Sequence, residues 1–470
     1  MRKTKIVATF GPSTATEDKL RQLIGAGVNI FRVNCSHGRT EDFRRAARLI
    51  RKAAGGAGFP VAILMDISGP KLRLDQFEGS LELEPGDGIT LTVGRTDLPA
   101  HRIAVNHPAI IKSLRKNHQV FMDDGNIALS VTSVGRSRVV LEAINAGTIS
   151  GGKGINLPDS DIDLPTITEK DRVDLQTAAE IKADFVALSF VRTADDIVRA
   201  RELLKGHGSQ PDLIAKLEKR EAIENLDSIL ESSDGVMVAR GDLGVEVAYE
   251  KLPSLQKDII QRACAGLKPV IVATQMLESM RFSPRATRAE INDVATAVFD
   301  FADAVMLSAE TATGEYPVRA VATMHRIITA AEETARRPDI SLGQLDLSSE
   351  VPLAIARSVL QAAASQPKLI CVFTTSGFSA ELISNLMPSQ PIIALTPDAR
   401  VRQRLILHRS VYPVKVRQPK SFKDMLRLVE RICNELNLTQ IGDTVVITGG
   451  APFGQARPTN LLMLHQIGEG

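Results

Sequence analysis

The chain has 470 residues, a formal net charge of +2, 44% hydrophobic and 24% charged residues, four Cys and no Trp. This length exceeds what one hydrophobic core supports, so we expect several domains. The near-neutral charge argues against a nucleic-acid-binding protein. The four cysteines form no Cys-x-x-Cys pair, which argues against a zinc module or a disulfide framework. With no secretory signal and no apolar run of the ~20 residues that span a membrane, we expect a cytoplasmic protein.

Short apolar runs, most of them followed by a helical pattern, predict a closed (β/α)8 barrel. Nearly continuous apolar strands that alternate with helices are typical of a parallel sheet covered by helices. Thr287-Arg288-Ala289-Glu290 is a capping box and marks one helix start. The eight predicted strands are, in chain order, Lys5–Phe10, Asn29–Asn34, Val61–Ile67, Asp184–Phe190, Leu213–Glu218, Gly235–Arg240, Pro269–Gln275 and Ala304–Glu310.

The barrel pattern is interrupted after the third predicted strand. From Leu74 to Asp163, alternating runs are separated by turn signals such as Pro85-Gly86-Asp87-Gly88, which predicts an inserted all-β domain. An insertion of this size at the catalytic face is suited to be a mobile lid. The barrel then comprises residues 1–73 and 164–340.

Helices and strands alternate again in the last part of the chain. This pattern predicts a separate C-terminal α/β domain over residues 345–470, with an open twisted sheet and helices on both faces. We expect regulation or assembly, rather than catalysis, to be the role of this domain.

Polar residues end the fifth and sixth predicted strands. Side chains alternate along a strand, so Lys216 and Glu218 project from the same face. Asp242 follows the next strand, in Arg240-Gly241-Asp242. If the two strands are neighbours, Glu218 and Asp242 can share a divalent cation beside the Lys216 ammonium, which suits phosphoryl transfer. The alternative is an ordinary surface ion pair between Lys216 and Glu218.

Other predicted strands also end in polar residues, at the end of the barrel where catalytic groups lie. Arg32 suits a carboxylate or a phosphate through bidentate hydrogen bonds. Gly241 lets the backbone approach a ligand closely, and the Thr274 hydroxyl can hold or relay a proton. Asp66 ends the third strand.

With these residues in view, the chain resembles the pyruvate kinase family along nearly its whole length. The stretches that carry the resemblance are Thr4–Ser13, Arg32–Gly38, Leu213–Glu218, Met237–Glu246 and Ala273–Met280. The resemblance implies a glycolytic transfer of the phosphoryl group of phosphoenolpyruvate to ADP, which gives pyruvate and ATP. It also implies Mg²⁺ or Mn²⁺ as the cofactor and a homotetramer as the assembly.

The resemblance assigns roles residue by residue. Lys216 stabilises the transferring phosphoryl group, Glu218 and Asp242 hold the divalent ion, and Thr274 lies near the enolate face that is protonated. The residues that contact phosphoenolpyruvate are Arg32, Gly241, Asp242 and Thr274. The residues that line the nucleotide phosphates are Asn34, Ser36, His37, Arg73 and Lys153.

The chain departs from the family pattern at Lys71. The family commonly has Asp-Thr-Lys-Gly-Pro-Glu where this chain has Asp66-Ile67-Ser68-Gly69-Pro70-Lys71. Asn34, Ser36 and Asp66 match the family's potassium ligands, but Lys71 puts an ammonium where the monovalent cation acts. We therefore expect no requirement for K⁺; a solvated loop charge is the alternative interpretation of Lys71.

Two further points stay open from the sequence. Thr374, Ser376 and Ser379 lie in a loop that resembles the family's site for an effector phosphate, so a sugar phosphate or a nucleotide is a candidate effector. A structural helix cap is the alternative explanation of the same hydroxyls. Without the resemblance, a metal- or Schiff-base-dependent pyruvate-type aldolase on the same barrel is the alternative function. A catalytically silent scaffold that binds phosphorylated metabolites is a third.

Overall fold

The computed structural model describes residues 1–56, 60–162, 164–335, 350–452 and 458–469. The predicted domain boundaries at residues 163, 340, 345 and 470 lie outside these ranges. None of the helices in the described ranges combines the length and hydrophobicity that crossing a membrane requires.

Eight parallel strands close into a barrel, which confirms the predicted fold. They are Lys5–Phe10, Ile30–Asn34, Ala62–Ile67, Phe185–Leu188, Asp212–Leu217, Gly235–Ala239, Val270–Ala273 and Ala304–Leu307. Every residue of the third, fifth and sixth strands is buried, because helices cover the outside of the barrel and side chains fill its interior. The fifth and sixth strands are direct neighbours, with Lys216 opposite Met237.

Helices surround the barrel, and their starts follow the predicted capping signals. Thr287 accepts a hydrogen bond from the backbone of Glu290, whose carboxylate bonds back to Thr287, so the predicted capping box is confirmed. The α-helices of this domain are Glu17–Ala26, Thr40–Ala54, Glu169–Glu180, Ala194–Lys205, Arg220–Glu224, Leu226–Ser232, Arg240–Glu246, Leu252–Ala265, Arg288–Phe299, Ala309–Ala312 and Pro317–Thr334. Short 3₁₀ turns lie at Pro12–Thr14, Tyr249–Lys251 and Glu278–Arg281.

The insertion is a β-rich domain, as predicted, with one short helix at Pro108–Ser113 that the sequence pattern did not reveal. A six-stranded sheet and a two-stranded sheet enclose their own core, in which Leu91, Leu129 and Leu141 are fully buried. The strands are Ser80–Leu83, Gly88–Thr92, Arg102–Ala104, Gln119–Met122, Ile127–Val134, Arg138–Ala143, Gly147–Ser150 and Ile155–Asn156.

The C-terminal domain is an open α/β sheet, also as predicted. In spatial order its strands are Val411–Lys415, Ile392–Thr396, Ile370–Phe373, Thr444–Gly449 and Leu461–Gln466, of which only the last is antiparallel to its neighbour. The α-helices are Glu350–Ala363, Phe378–Asn385, Ala399–Arg404 and Phe422–Glu435, and a 3₁₀ turn spans Leu405–Leu407.

The C-terminal domain packs against the amino ends of the barrel strands. Asp184, Asp212 and Asp303 lie at or just before the starts of three strands. Asp303 Oδ1 accepts a hydrogen bond of 2.8 Å from the Arg409 backbone, and Asp184 Oδ1 accepts one of 3.2 Å from Gln403. The carboxyl ends of the strands, at the opposite end of the barrel, therefore remain available for a catalytic site.

Candidate active site

Lys216 is the centre of a buried network at the carboxyl end of the fifth barrel strand. Its ammonium lies 2.7 Å from Glu218 Oε1 and 3.2 Å from Asp66 Oδ1, and it donates a hydrogen bond of 2.7 Å to Ser189 Oγ. Burial disfavours the charged form, but Asp66 and Glu218 outweigh burial and raise the pKa of Lys216 above its ordinary value. These two carboxylates therefore favour the charged form of Lys216.

Asp66 connects Lys216 to Arg32. Asp66 Oδ2 accepts a hydrogen bond of 2.6 Å from Arg32 Nε, and Arg32 Nη1 also donates to Thr9 Oγ1 at 3.2 Å. Burial favours protonation of Asp66, but Lys216 and Arg32 hold its pKa below the ordinary value. Since each oxygen of this carboxylate faces a cation, Asp66 fixes the positions of two cationic side chains in one site.

Glu218 and Asp242 lie close enough to influence each other. Glu218 Oε2 accepts a hydrogen bond of 2.8 Å from the Phe190 backbone. Asp242 is half-buried in the first turn of Arg240–Glu246, and burial together with the Glu218 charge raises the pKa of Asp242 to about 7. Two carboxylates that repel each other are poised to share a cation.

The donor set fits a hard divalent ion. Among the described residues, nothing donates a hydrogen bond to the Asp242 carboxylate, so its oxygens are available as ligands. The described ranges contain no group of three or more His, Cys, Asp or Glu side chains arranged around one metal position. Two carboxylates with water or substrate oxygens completing the shell are typical of Mg²⁺.

Gly241 and Thr274 are joined by a hydrogen bond. Thr274 Oγ1 accepts from the Gly241 backbone at 2.8 Å and donates to the Ala273 carbonyl at 2.6 Å. The backbone of Thr274 has a φ of 70°, which is strained for a β-branched residue and typical of a functional site. Arg240, paired with Asp293 at 2.5 Å, donates to the Thr274 carbonyl at 2.8 Å and holds this loop in place.

The predicted nucleotide and monovalent-cation residues meet beside this network. Asn34 Oδ1 accepts a hydrogen bond of 3.0 Å from the Ser36 backbone, and Lys71 Nζ donates to Ser36 Oγ at 2.7 Å. Burial lowers the pKa of Lys71, with Arg73 adding to the effect, and burial with Lys71 lowers the pKa of His37. The structure thus brings the Lys71 ammonium to one of the residues that match the family's potassium ligands.

A cleft of about 180 Å³ separates the lid from the barrel, and Arg73, Asp124 and Asp242 are among the residues that line it. Arg73 Nη1 donates a hydrogen bond of 3.0 Å to the Gly152 carbonyl. Lys153, on the lid, pairs with Asp123 at 2.6 Å rather than with a residue of the barrel. Arg73 therefore faces the cleft, whereas Lys153 must leave a carboxylate to reach a ligand.

Sequence reasoning missed Ser189 and Thr9, which hold Lys216 and Arg32. Ser189 comes directly after the fourth strand, Phe185–Leu188, and Thr9 lies on the first strand. Their position at strand ends was the available signal. A single hydroxyl residue at such a position is common, so the signal could not separate these two from other Ser and Thr residues.

The hydroxyls of the predicted effector loop all bond within the protein. Thr374 Oγ1 accepts from the Gly377 backbone at 2.9 Å, Ser376 Oγ accepts from the Phe378 backbone at 3.4 Å, and Ser379 Oγ bonds to Thr459. These contacts hold the loop ahead of Phe378–Asn385, but the N-cap position of that helix is Gly377, without a side-chain cap hydrogen bond, so they do not form the helix cap that the sequence offered as the alternative.

Comparisons with known proteins identify the family of the chain. The family model described as pyruvate kinase, barrel domain, matches residues 1–321, and the one described as pyruvate kinase, alpha/beta domain, matches residues 353–465. The chain is 41% identical to a pyruvate kinase of Geobacillus stearothermophilus, over 100% of this chain and 81% of the relative. It is 41% identical to a pyruvate kinase of Agrobacterium vitis, over 99% and 97% of the two chains, and 39% identical to one of Methylorubrum extorquens, over 98% and 97%. The resemblance seen in the sequence is confirmed: the chain belongs to the pyruvate kinase family.

Proposed function

We propose that this chain transfers the phosphoryl group of phosphoenolpyruvate to ADP, giving pyruvate and ATP in glycolysis, at the carboxyl ends of the barrel strands. The observation that carries the proposal is the Lys216 ammonium, held by Asp66 and Glu218 beside the half-buried Asp242. Phosphoryl transfer depends on positioned charge more than on covalent chemistry, and this site supplies positioned charge.

Each residue has a task that its contacts allow. The Lys216 ammonium neutralises charge that develops on the transferring phosphoryl group. Arg32, oriented by Asp66, presents its guanidinium to the phosphate or carboxylate of phosphoenolpyruvate. We assign to the Thr274 hydroxyl the proton that the enolate takes up; in this structure that hydroxyl donates to the Ala273 carbonyl. Glu218 and Asp242 would hold Mg²⁺ or Mn²⁺, which when bound neutralises the phosphoryl oxygens and the enolate oxygen.

The nucleotide phosphates are assigned to the Lys71 side of the cleft. Asn34, Ser36 and His37 lie there beside Arg73, which lines the cleft itself. Lys153 joins them when its ion pair with Asp123 opens, a step that closure of the lid over ADP would provide.

The aldolase alternative has no support in the comparisons, which match pyruvate kinases along the whole chain. The site argues against the lysine-dependent type as well. A Schiff-base lysine must be deprotonated to attack a carbonyl, whereas Asp66 and Glu218 raise the pKa of Lys216.

Potassium independence follows from Lys71. Its ammonium bonds to Ser36 Oγ at 2.7 Å, within the group that also contains Asn34 and Asp66, and so supplies the positive charge of a monovalent cation. Turnover in sodium or Tris buffer is expected to nearly equal turnover in potassium. A hundredfold lower rate without potassium would refute this role.

The activity is tested by coupling pyruvate formation to lactate dehydrogenase, with phosphoenolpyruvate, ADP and Mg²⁺ as the additions. Lys216→Met is expected to be almost inactive. Lys205→Met, at the exposed end of Ala194–Lys205, is the matched control and keeps the wild-type rate. A silent wild-type enzyme, or a Lys216→Met variant of normal speed, would overturn the proposal.

Assembly, location and regulation follow the family in this proposal: a cytoplasmic homotetramer that responds to a sugar phosphate or a nucleotide at Thr374, Ser376 and Ser379. Light scattering should then give four times the chain mass of 50.8 kDa. If no such effector changes the dependence of rate on phosphoenolpyruvate concentration, the regulatory part fails and the hydroxyls only hold the loop.

A further inference from the structure

A second cavity, of about 410 Å³, lies where the C-terminal domain meets the barrel. Lys3 and Phe301 line it from the barrel side, and both precede the amino ends of strands. Arg357 and Met387 line it from the C-terminal domain. The cavity is therefore at the opposite end of the barrel from the active site, and its walls belong to two domains.

The charged side chains that line this cavity are all cationic. Lys3, Arg357 and Arg409 are among its lining residues, and the described lining contains no Asp or Glu. The nearby carboxylates are Glu332, 3.8 Å from Arg409 Nη1, and Asp303, which accepts a hydrogen bond of 2.8 Å from the Arg409 backbone. Glu332 also accepts hydrogen bonds from the backbone amides of Lys3, at 2.9 and 3.0 Å, and Thr4, at 2.6 Å. Three cations against two engaged carboxylates leave an excess of positive charge.

Of the three cations, Arg409 is the one that the protein itself compensates: its Nη1 donates to Thr4 Oγ1 at 2.6 Å, and its guanidinium lies 4.9 Å from the centre of the Phe301 ring. Arg409 is only 4% exposed, and burial lowers its pKa. Burial and the neighbouring Arg409 also lower the pKa of Lys3. Within the described residues, the Arg357 side chain makes no hydrogen bond or ion pair. Lys3 is half-buried and Arg357 is exposed, so an anion that enters the cavity can contact both of them while Arg409 adds positive charge from the buried side. The cluster therefore has the properties of an anion site.

The rest of the lining is suited to the organic part of a ligand. Phe301 and Met387 belong to one small apolar cluster, and Leu360 adds an aliphatic wall. Gln390 donates to the Ala363 carbonyl at 2.9 Å, which fixes the rim on the C-terminal side. A cavity of this size, with an apolar wall on one side and a few convergent charges, is suited to a small molecule.

We propose that this cavity binds a small phosphorylated metabolite, with its dianionic phosphate between Lys3, Arg357 and Arg409 and its organic part against Phe301 and Met387. Two guanidinium groups and an ammonium match a phosphate in charge and hydrogen-bonding geometry better than they match a single carboxylate. A ligand held by both domains strengthens their contact, so it affects the C-terminal domain and the barrel together.

Equilibrium dialysis with radiolabelled inorganic phosphate tests the site, at constant ionic strength set with sodium chloride. Arg357 is exposed on its helix, so Arg357→Gln is compatible with folding, and the exposed Arg326 on Pro317–Thr334 provides the control Arg326→Gln. Phosphate bound at the active site or at the 374–379 loop contributes equally to wild type and to both variants.

We expect wild type to bind one phosphate per chain in this cavity. Arg357→Gln should bind that phosphate at least about tenfold more weakly, as the loss of one charged hydrogen bond predicts, while Arg326→Gln should match wild type. Lys3→Gln should show the same loss as Arg357→Gln. Phosphate should also raise the melting temperature of wild type more than that of Arg357→Gln. Equal phosphate binding by wild type, Arg357→Gln and Lys3→Gln would overturn the proposal.

Discussion

Replacing Asp66 by Asn tests the logic of the active site most directly. The Asp66 side chain is only 2% exposed and pairs with Arg32 at 2.6 Å and with Lys216 at 3.2 Å. Removing one partner of a buried ion pair costs about 3–5 kcal/mol because the remaining charge is left without compensation. Here two cations lose a shared anion, and both of them are assigned to the transferring phosphoryl group or its substrate.

If about 3 kcal/mol of that cost falls on the transition state, kcat/KM drops at least about 10²-fold. Asp184→Asn is the matched control, because Asp184 is also a buried aspartate at a strand end and pairs with Arg51 at 2.8 Å, but at the amino end of the barrel. Both variants should melt at lower temperature, and only Asp66→Asn should lose activity, measured in the coupled assay well below both melting temperatures. A kcat/KM for Asp66→Asn within threefold of wild type, or an equal loss in Asp184→Asn, would refute the reasoning.

Three other predictions follow from individual contacts. Lys71→Glu should lower turnover in sodium buffer by about tenfold or more, with recovery in potassium, since the ammonium beside Ser36 is lost; equal rates in both salts would contradict this. Chelation with EDTA should abolish activity, and Glu218→Gln should raise the Mg²⁺ concentration for half-maximal rate about tenfold, whereas an unchanged Mg²⁺ titration would exclude Glu218 as a ligand. Burial, with the Asp234 charge, raises the pKa of Asp212 from 3.8 to about 7. Between about pH 4 and pH 7 the folded protein thus keeps a proton on Asp212 that the unfolded chain has lost. The free energy of unfolding therefore falls by roughly 1.4 kcal/mol per pH unit as pH rises through this range. Asp212→Asn removes that dependence, so the melting temperature of the variant minus that of wild type should increase as pH rises from about 4 to 7. A constant difference would show that the pKa of Asp212 is not raised.

The sequence predicted the barrel and the position of its site because both depend on local patterns. Apolar runs identified all eight strands, and the polar residue after a run marks the end of a strand. In a parallel barrel those ends converge, so Lys216 and Asp66, 150 residues apart in sequence, were expected at one face and contact each other at 3.2 Å. Nothing further was needed to place these two charges together.

Contacts between domains could not be predicted in this way. Asp184, just before a barrel strand, accepts a hydrogen bond of 3.2 Å from Gln403 of the C-terminal domain. Asp303 binds the Arg409 backbone, and its position just before a strand carries no sign of a partner in another domain. Such pairs depend on how separately folded units dock, which strand and helix periodicity does not encode. The same limit explains why the cavity at the domain junction has no counterpart in the sequence patterns.

Two lysines of the barrel show how environment, rather than residue type, decides chemistry. Lys5, at the amino end, is fully buried, donates to the Val411 carbonyl at 2.6 Å and lies 4.0 Å from the centre of the Tyr412 ring. Burial lowers the pKa of Lys5 to about 7, because a neutral carbonyl and a ring compensate a charge poorly. Lys216 is equally enclosed, yet two carboxylates raise its pKa. Phosphoryl transfer depends on positioned positive charge. Asp66 and Glu218 favour the charged form of Lys216, whereas no carboxylate among the described residues is in direct contact with Lys5.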